Sequence, residues 1–157
     1  MKYGICTLIF GNTSYLVGAC LSFYVHRQFI KKNNLDIDLI AMVDDKIYKY
    51  KDILELYFDK IIKIDLDEIV LNYRHNAKEY KNYSTWVKYS INKWKIFNIE
   101  NYDKILFIDV DMLPLDISFY DVFETNTPAI FVGKSGKNKL NKKYFSNKSS
   151  FNNLDYT

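Results

Sequence analysis

Cysteine is scarce in this chain of 157 residues, which holds only Cys6 and Cys20. Two cysteines do not make a disulfide framework. Both lie in apolar runs, so we expect them to be buried free thiols. The chain is long enough to bury a hydrophobic core within a single domain.

Apolar runs long enough to span a bilayer are also lacking. Residues 3–25 carry no charge and follow Lys2, as in a signal or membrane segment, but the polar turn at residues 11–14 interrupts them. The remaining apolar stretch is too short to cross a membrane. We therefore expect a strand, a turn and a helix here, no transmembrane segment, and a cytoplasmic protein.

A basic surface on the body of the protein is missing as well. Residues 134–157 contain six lysines against Asp155, a charge of +5, and the whole-chain charge of +3 then leaves −2 for residues 1–133. Nucleic-acid binding needs a basic face on the folded part, so we expect no nucleic-acid partner. The pattern indicates a folded domain over 1–133 and a polar Lys/Asn/Ser-rich tail over 134–157.

Apolar runs of strand length alternate with segments of helical periodicity, and no internal repeat is present. Strands are expected at residues 3–10, 38–43, 60–66, 105–109 and 129–132. Helices are expected at residues 15–32, 50–57, 84–99 and 117–123. This alternation predicts an α/β fold with a mainly parallel sheet and helices on both faces. Trp86 and Trp94 are expected in the core, and His26 and His75 at packing or surface positions.

The most informative segment is the apolar run that ends in Asp109-Val110-Asp111. The spacing alone is weak, because 14 aspartates in this chain produce roughly one such pair by chance. Two further pairs occur, Asp36/Asp38 and Asp65/Asp67. Only Asp109 follows four consecutive large apolar residues, which makes it the pair expected at the end of a buried strand.

A second polar segment, residues 11–14, follows the first expected strand. In parallel sheets ligands bind outside the carboxyl ends of the strands, so both segments are expected at one edge. Two carboxylates there would suit Mg²⁺ or Mn²⁺, which prefer oxygen ligands and complete their coordination with substrate phosphates. The turn offers backbone N–H groups for a nucleotide, and the Tyr15 ring could stack on a base.

These segments resemble the N-terminal nucleotide-sugar-binding part of glycosyltransferase family 8, the glycogenin-like group with the Rossmann-like GT-A fold. The resemblance covers roughly residues 3–132. The resemblance rests on Cys6-Thr7-Leu8, Asn12 to Tyr15 with Gly18-Ala19, the run from Leu56 to Asp65, Lys93, and the run from Tyr102 to Asp111.

The resemblance implies a hexosyltransferase that transfers a sugar from a nucleotide sugar, usually UDP-linked, with retention at the anomeric carbon. It implies Mn²⁺ (or Mg²⁺) held by the Asp-x-Asp (DxD) motif and an unknown carbohydrate or protein acceptor. By that similarity the metal ligands are Asp109 and Asp111, and the donor-binding residues are Leu8, Asn12, Tyr15, Arg74, Lys93, Asp109, Val110 and Asp111. The catalytic residue stays unknown.

The family's later motifs, including a histidine that completes the metal shell, have no counterpart before residue 157. We therefore expect the domain to be incomplete at its C-terminus. One alternative is a truncated, non-catalytic nucleotide-sugar-binding domain. Another is a phosphatase of the haloacid-dehalogenase type with Asp109 as nucleophile, although Leu113 stands where that motif has Thr or Val.

Overall fold

The structure is a computed structural model that describes residues 1–67 and 89–126. Several sequence predictions lie outside the described residues. These are Arg74, His75, Trp86, the start of the helix expected at 84, the strand expected at 129–132 and the tail at 134–157.

The described strands form one parallel sheet in the order β3-β2-β1-β4. Their bounds are β1 Tyr3–Ile9, β2 Ile37–Val43, β3 Lys60–Lys63 and β4 Lys104–Phe107. Strand β1 pairs in parallel with β2 on one side and with β4 on the other. The predicted α/β, Rossmann-like architecture is therefore confirmed.

The helices differ more from expectation than the strands do. Helix α1 spans Ser14–Lys32 as predicted. The helix expected at 50–57 is shortened to the single-turn helix α3 Lys51–Leu54, and another single-turn helix, α2 Asp45–Tyr48, precedes it. Few side chains of this segment reach the core: Leu54 and Phe58 are buried, but Leu56 is 71% exposed. An apolar face this short does not stabilise a longer helix.

Two 3₁₀ helices, Ser90–Asn98 and Ile117–Glu124, complete the described elements. The second occupies the predicted position. Over Ser90–Asn98 the expected α-helix is wrong, because these residues form a 3₁₀ helix, and Trp94, which was expected in the core, is 68% exposed. A 3₁₀ helix has three residues per turn, so side chains at i and i+3 are aligned. Ile91, Trp94 and Phe97 share one exposed face for this reason.

The sheet is covered on both faces, as the apolar character of its strands requires. Successive residues of β1 point to opposite faces. Ile5 and Ile9 enter the cluster that contains Phe23 of α1 and Phe123 of the second 3₁₀ helix. A second cluster on the other face comprises Cys6, Leu8, Ile40 and Met42, with Ile96 of the first 3₁₀ helix against it. Among residues 1–67 and 89–126, no helix is both long and apolar enough to cross a membrane.

Candidate functional site

The Asp109 segment and the turn after β1 leave the sheet at the same edge. Strands β1 and β4 are parallel neighbours, with Cys6 opposite Phe107. The pairing continues one residue further, where the Ile108 N–H donates to the Cys6 carbonyl at 2.9 Å. Asp109 is the next residue, so it emerges at the carboxyl end of the sheet beside the last part of β1.

Asp109 and Asp111 belong to one β-turn. The Met112 N–H donates to the Asp109 carbonyl at 3.2 Å and closes this turn. Val110 is half-buried and packs against the larger core cluster, whereas the aspartates on either side of it are exposed. The turn thus points one apolar side chain inward and leaves two carboxylates in solvent, within one turn of the chain.

Lys93 reaches this turn from the first 3₁₀ helix. Its Nζ lies 2.6 Å from Asp109 Oδ1, and the two side chains are 29% and 56% exposed. The ammonium also lies over the Phe107 ring, 5.3 Å from the ring centroid. Exposed ion pairs contribute about 0–1 kcal/mol, so this contact orients the Asp109 carboxylate more than it stabilises the fold.

The turn after β1 is built around Gly11. Its φ of +75° is strained for residues that carry a Cβ, and the Asn12 N–H donates to the Phe10 carbonyl across it at 2.8 Å. Asn12 is exposed, and its Oδ1 accepts from the Ser14 N–H at 2.9 Å. No such side-chain bond comes from Thr13, the residue that caps α1.

The remaining expected donor residues of this edge have contrasting environments. Tyr15 is 48% exposed on the first turn of α1, so its ring is accessible beside the Gly11 turn. Leu8 is only 7% exposed and packs in the second core cluster. Leu8 therefore packs in the core beneath this edge of the sheet. Arg74 lies outside the described residues.

Asp44 is a residue of this edge that the sequence analysis missed. It directly follows β2 and is 7% exposed. One carboxylate oxygen accepts from the Gly11 N–H and the other from the Ile47 N–H, each at 2.9 Å. A carboxylate placed directly after an apolar strand was the signal that selected Asp109, and the same signal would have found Asp44. It joins the Gly11 turn to helix α2.

Of the two other Asp-x-Asp pairs, one lies at the opposite edge of the sheet, and the other follows β3, which β2 separates from β1. Asp38 lies near the start of β2, at the opposite edge of the sheet, where it pairs with Lys2 Nζ at 2.9 Å. Asp67 follows β3 and pairs with Lys95 Nζ at 3.0 Å. Within the described ranges, no group of three or more His, Cys, Asp or Glu side chains is arranged to hold a metal ion.

The cysteines confirm and refine the expectation of free thiols. Both are free; Cys6 is fully buried and Cys20 is half-buried. Burial raises the pKa of the Cys6 thiol to about 12, and a protonated thiol is a poor nucleophile. Cys6 is therefore a packing residue of β1.

No protein-family model matches the chain. Over 129 residues the chain is 27% identical to a protein named uncharacterized protein R707 from Acanthamoeba polyphaga mimivirus. The match covers 82% of this chain and 42% of the viral protein, so the chain spans less than half the length of that relative.

Proposed function

We propose that this chain binds a nucleotide sugar, with UDP as the nucleotide, and acts as a metal-dependent, retaining glycosyltransferase domain. The observation that carries the proposal is the position of the Asp109 turn relative to the strand order. In the order β3-β2-β1-β4, strands β2 and β3 are added on one side of β1, and β4 is added on the other side. The order of connection therefore reverses between β1 and β4. Ligands of open parallel sheets bind at such a switch point, outside the carboxyl ends of the strands.

Both polar segments of the site flank that switch point. The Gly11 turn follows β1 and the Asp109 turn follows β4, and these two strands are neighbours. A nucleotide bound between them would have the exposed Tyr15 ring and the Asn12 side chain on one side. It would have the Asp109 and Asp111 carboxylates on the other.

The donor set fits a hard divalent cation. Asp109 and Asp111 are exposed carboxylates on one turn, and Mg²⁺ is commonly bound by one or two carboxylates together with substrate phosphates. A bound Mn²⁺ or Mg²⁺ would supply charge neutralisation for the departing nucleoside diphosphate.

Lys93 and Arg74 are the cationic residues assigned to the donor in this proposal. The Lys93 ammonium is already held at the turn by Asp109. With a donor present we expect it to move from the carboxylate toward the diphosphate oxygens. The Val110 backbone, between the two aspartates, would line the ribose side of the pocket, and Leu8 would support the base from the core. No residue is assigned as a nucleophile.

The experiment is isothermal titration calorimetry with UDP, with and without Mn²⁺, on the unaltered chain and on Asp111→Asn. We expect Mn²⁺ to strengthen UDP binding and Asp111→Asn to abolish most of that gain. Asp36→Asn is the matched control, because it removes the same charge from an exposed aspartate at the opposite edge of the sheet. If neither Mn²⁺ nor Asp111→Asn changes the Kd for UDP, the proposed site is refuted.

A turnover assay separates transfer from binding. UDP release from a panel of UDP-sugars, with water or simple sugars as acceptors, is expected to require Mn²⁺ and Asp111. Mn²⁺-dependent UDP binding without any turnover would instead identify the second candidate, a nucleotide-sugar-binding domain that does not itself transfer.

A further inference from the structure

The carbonyl of Met112, the last residue of the Asp109 turn, is held by two polar side chains of α1. Ser22 Oγ donates to it at 2.5 Å, and His26 Nε2 lies 3.3 Å from the same oxygen. Ser22 is 2% exposed and His26 is fully buried. Two donors from consecutive turns of one helix thus meet on a single backbone oxygen directly after Asp111.

The contacts of His26 define its tautomer. A carbonyl oxygen can only accept, so Nε2 carries the proton and donates to Met112. The other ring nitrogen, Nδ1, then accepts from the Tyr120 hydroxyl at 3.1 Å. The Phe23 and Phe119 rings lie 5.6 and 5.2 Å from the imidazole, between centroids. The imidazole is therefore fixed on both nitrogens and packed between rings.

These bonds decide where the Asp109 turn can lie. At its start the turn is tied to the sheet by the Ile108 bond to Cys6, and at its end by the Met112 carbonyl. Between these two attachment points the backbone has one internal hydrogen bond, which the Met112 N–H donates to the Asp109 carbonyl. Without the bonds to the Met112 carbonyl, the segment with the exposed Asp109 and Asp111 would be held by the Ile108 bond and the packing of Val110, and its C-terminal end would lose its hydrogen bonds to α1.

We propose that Ser22 and His26 are positioning residues for the Asp109 turn: through the Met112 carbonyl they hold both carboxylates in the geometry that binds metal and nucleotide. Neither side chain touches the ligand in this scheme. The proposal rests on the proposed function for its ligand readout, whereas its structural readout is independent of any ligand.

The test compares Ser22→Ala, His26→Leu and His26→Gln. Ser22→Ala removes one donor with little change in volume, and His26→Leu removes the other. Gln keeps an amide N–H near the position of Nε2, so His26→Gln is the conservative rescue. Ile30→Val is the control for general destabilisation, because Ile30 is a buried residue of the same helix one turn beyond His26.

Hydrogen–deuterium exchange of the ligand-free protein is the first readout. We expect faster exchange at residues 110–115 relative to β1 and β2 in Ser22→Ala and His26→Leu, and restoration in His26→Gln. A merely structural role would instead speed exchange across the sheet, as in Ile30→Val. If exchange at residues 110–115 is no faster relative to β1 and β2 in Ser22→Ala and His26→Leu than in the unaltered chain, the proposal is overturned. If His26→Leu does not fold, Ser22→Ala alone provides this test.

Mn²⁺-dependent UDP binding by calorimetry is the second readout. We expect Ser22→Ala to raise the Kd about twofold to tenfold, the range that corresponds to one hydrogen bond of ordinary strength, with Ile30→Val unchanged. If the unaltered chain shows no Mn²⁺-dependent UDP affinity, the proposed function fails, and the exchange data alone decide whether Ser22 and His26 position the turn. An unchanged Kd alongside looser residues 110–115 would overturn the claim that the ties serve ligand binding.

Discussion

The buried His26 should make the stability of this protein depend on pH between about 4 and 6.5. Burial lowers the pKa of His26 from 6.5 to about 4, against a smaller opposing effect of its bond to the Met112 carbonyl. The unfolded chain binds a proton in this range that the folded chain does not. The stability that comes from the neutral imidazole is therefore complete above pH 6.5 and is lost as the pH falls through 4.

The size of the effect follows from the two pKa values. The difference between 6.5 and 4 corresponds to about 3 kcal/mol, since one pKa unit is about 1.4 kcal/mol. A small domain is stable by about 5–15 kcal/mol, so the loss is measurable by urea denaturation. We expect the free energy of unfolding to fall by about 1.2 kcal/mol between pH 6 and pH 5, because the unfolded chain binds nearly one proton more than the folded chain there.

His26→Gln isolates the contribution of this imidazole, because glutamine keeps a donor for Met112 and does not titrate. Its stability should be nearly independent of pH between 4.5 and 6.5. His75→Gln removes the other histidine of the chain and is the matched control, which should retain the slope. The pKa of Asp38 is lowered, since bonds from Lys2 and Tyr102 outweigh its burial, so Asp38 titrates below this window. Equal slopes in the unaltered chain and His26→Gln would refute the reasoning.

Substitutions at three further positions test other parts of the structure. Thr7→Val should raise the free energy of unfolding in urea by about 1 kcal/mol, because the Thr7 hydroxyl is buried with no hydrogen-bond partner among the described residues; a loss of stability would contradict this. Asp44→Ala should cost about 1–3 kcal/mol in thermal or urea unfolding, since two backbone N–H groups lose their acceptor, and Asp44→Asn, which keeps one acceptor oxygen, should cost less. Lys93→Met should change stability by less than about 1 kcal/mol yet strengthen Mn²⁺ binding without nucleotide in calorimetry, because a cation 2.6 Å from Asp109 competes with the metal; weaker binding would contradict that competition.

Residues whose environment follows from local pattern were predicted well. The apolar runs of β1, β2 and β4 and the helical spacing of α1 are visible in the sequence because a fully buried strand and an amphipathic helix each need a characteristic order of side chains. The α/β fold follows from their alternation. The Asp109 pair was separable from the other two Asp-x-Asp pairs because only Asp109 follows four consecutive large apolar residues.

Predictions failed where the local pattern did not decide burial. Trp94 was expected in the core because its spacing fits an α-helix, but the chain forms a 3₁₀ helix there and the ring is exposed. Asp44 follows an apolar strand, as Asp109 does, but the sequence does not show that its carboxylate accepts from the Gly11 N–H, which is distant in the chain. A short window of residues encodes neither the choice of a 3₁₀ helix over an α-helix nor a contact between residues 33 positions apart.

The class of fold, the turn at Gly11 and the pair of carboxylates after a buried strand could be predicted from the sequence, since each depends on residues that are neighbours in the chain. The position of β4 beside β1 became visible in the folded chain, and it brings the Gly11 and Asp109 turns to one switch point. The tertiary structure alone brought Lys93 to Asp109 and the Ser22 and His26 side chains to the Met112 carbonyl. Strand order and long-range hydrogen bonds depend on how whole elements pack, and no segment of the sequence specifies that packing alone.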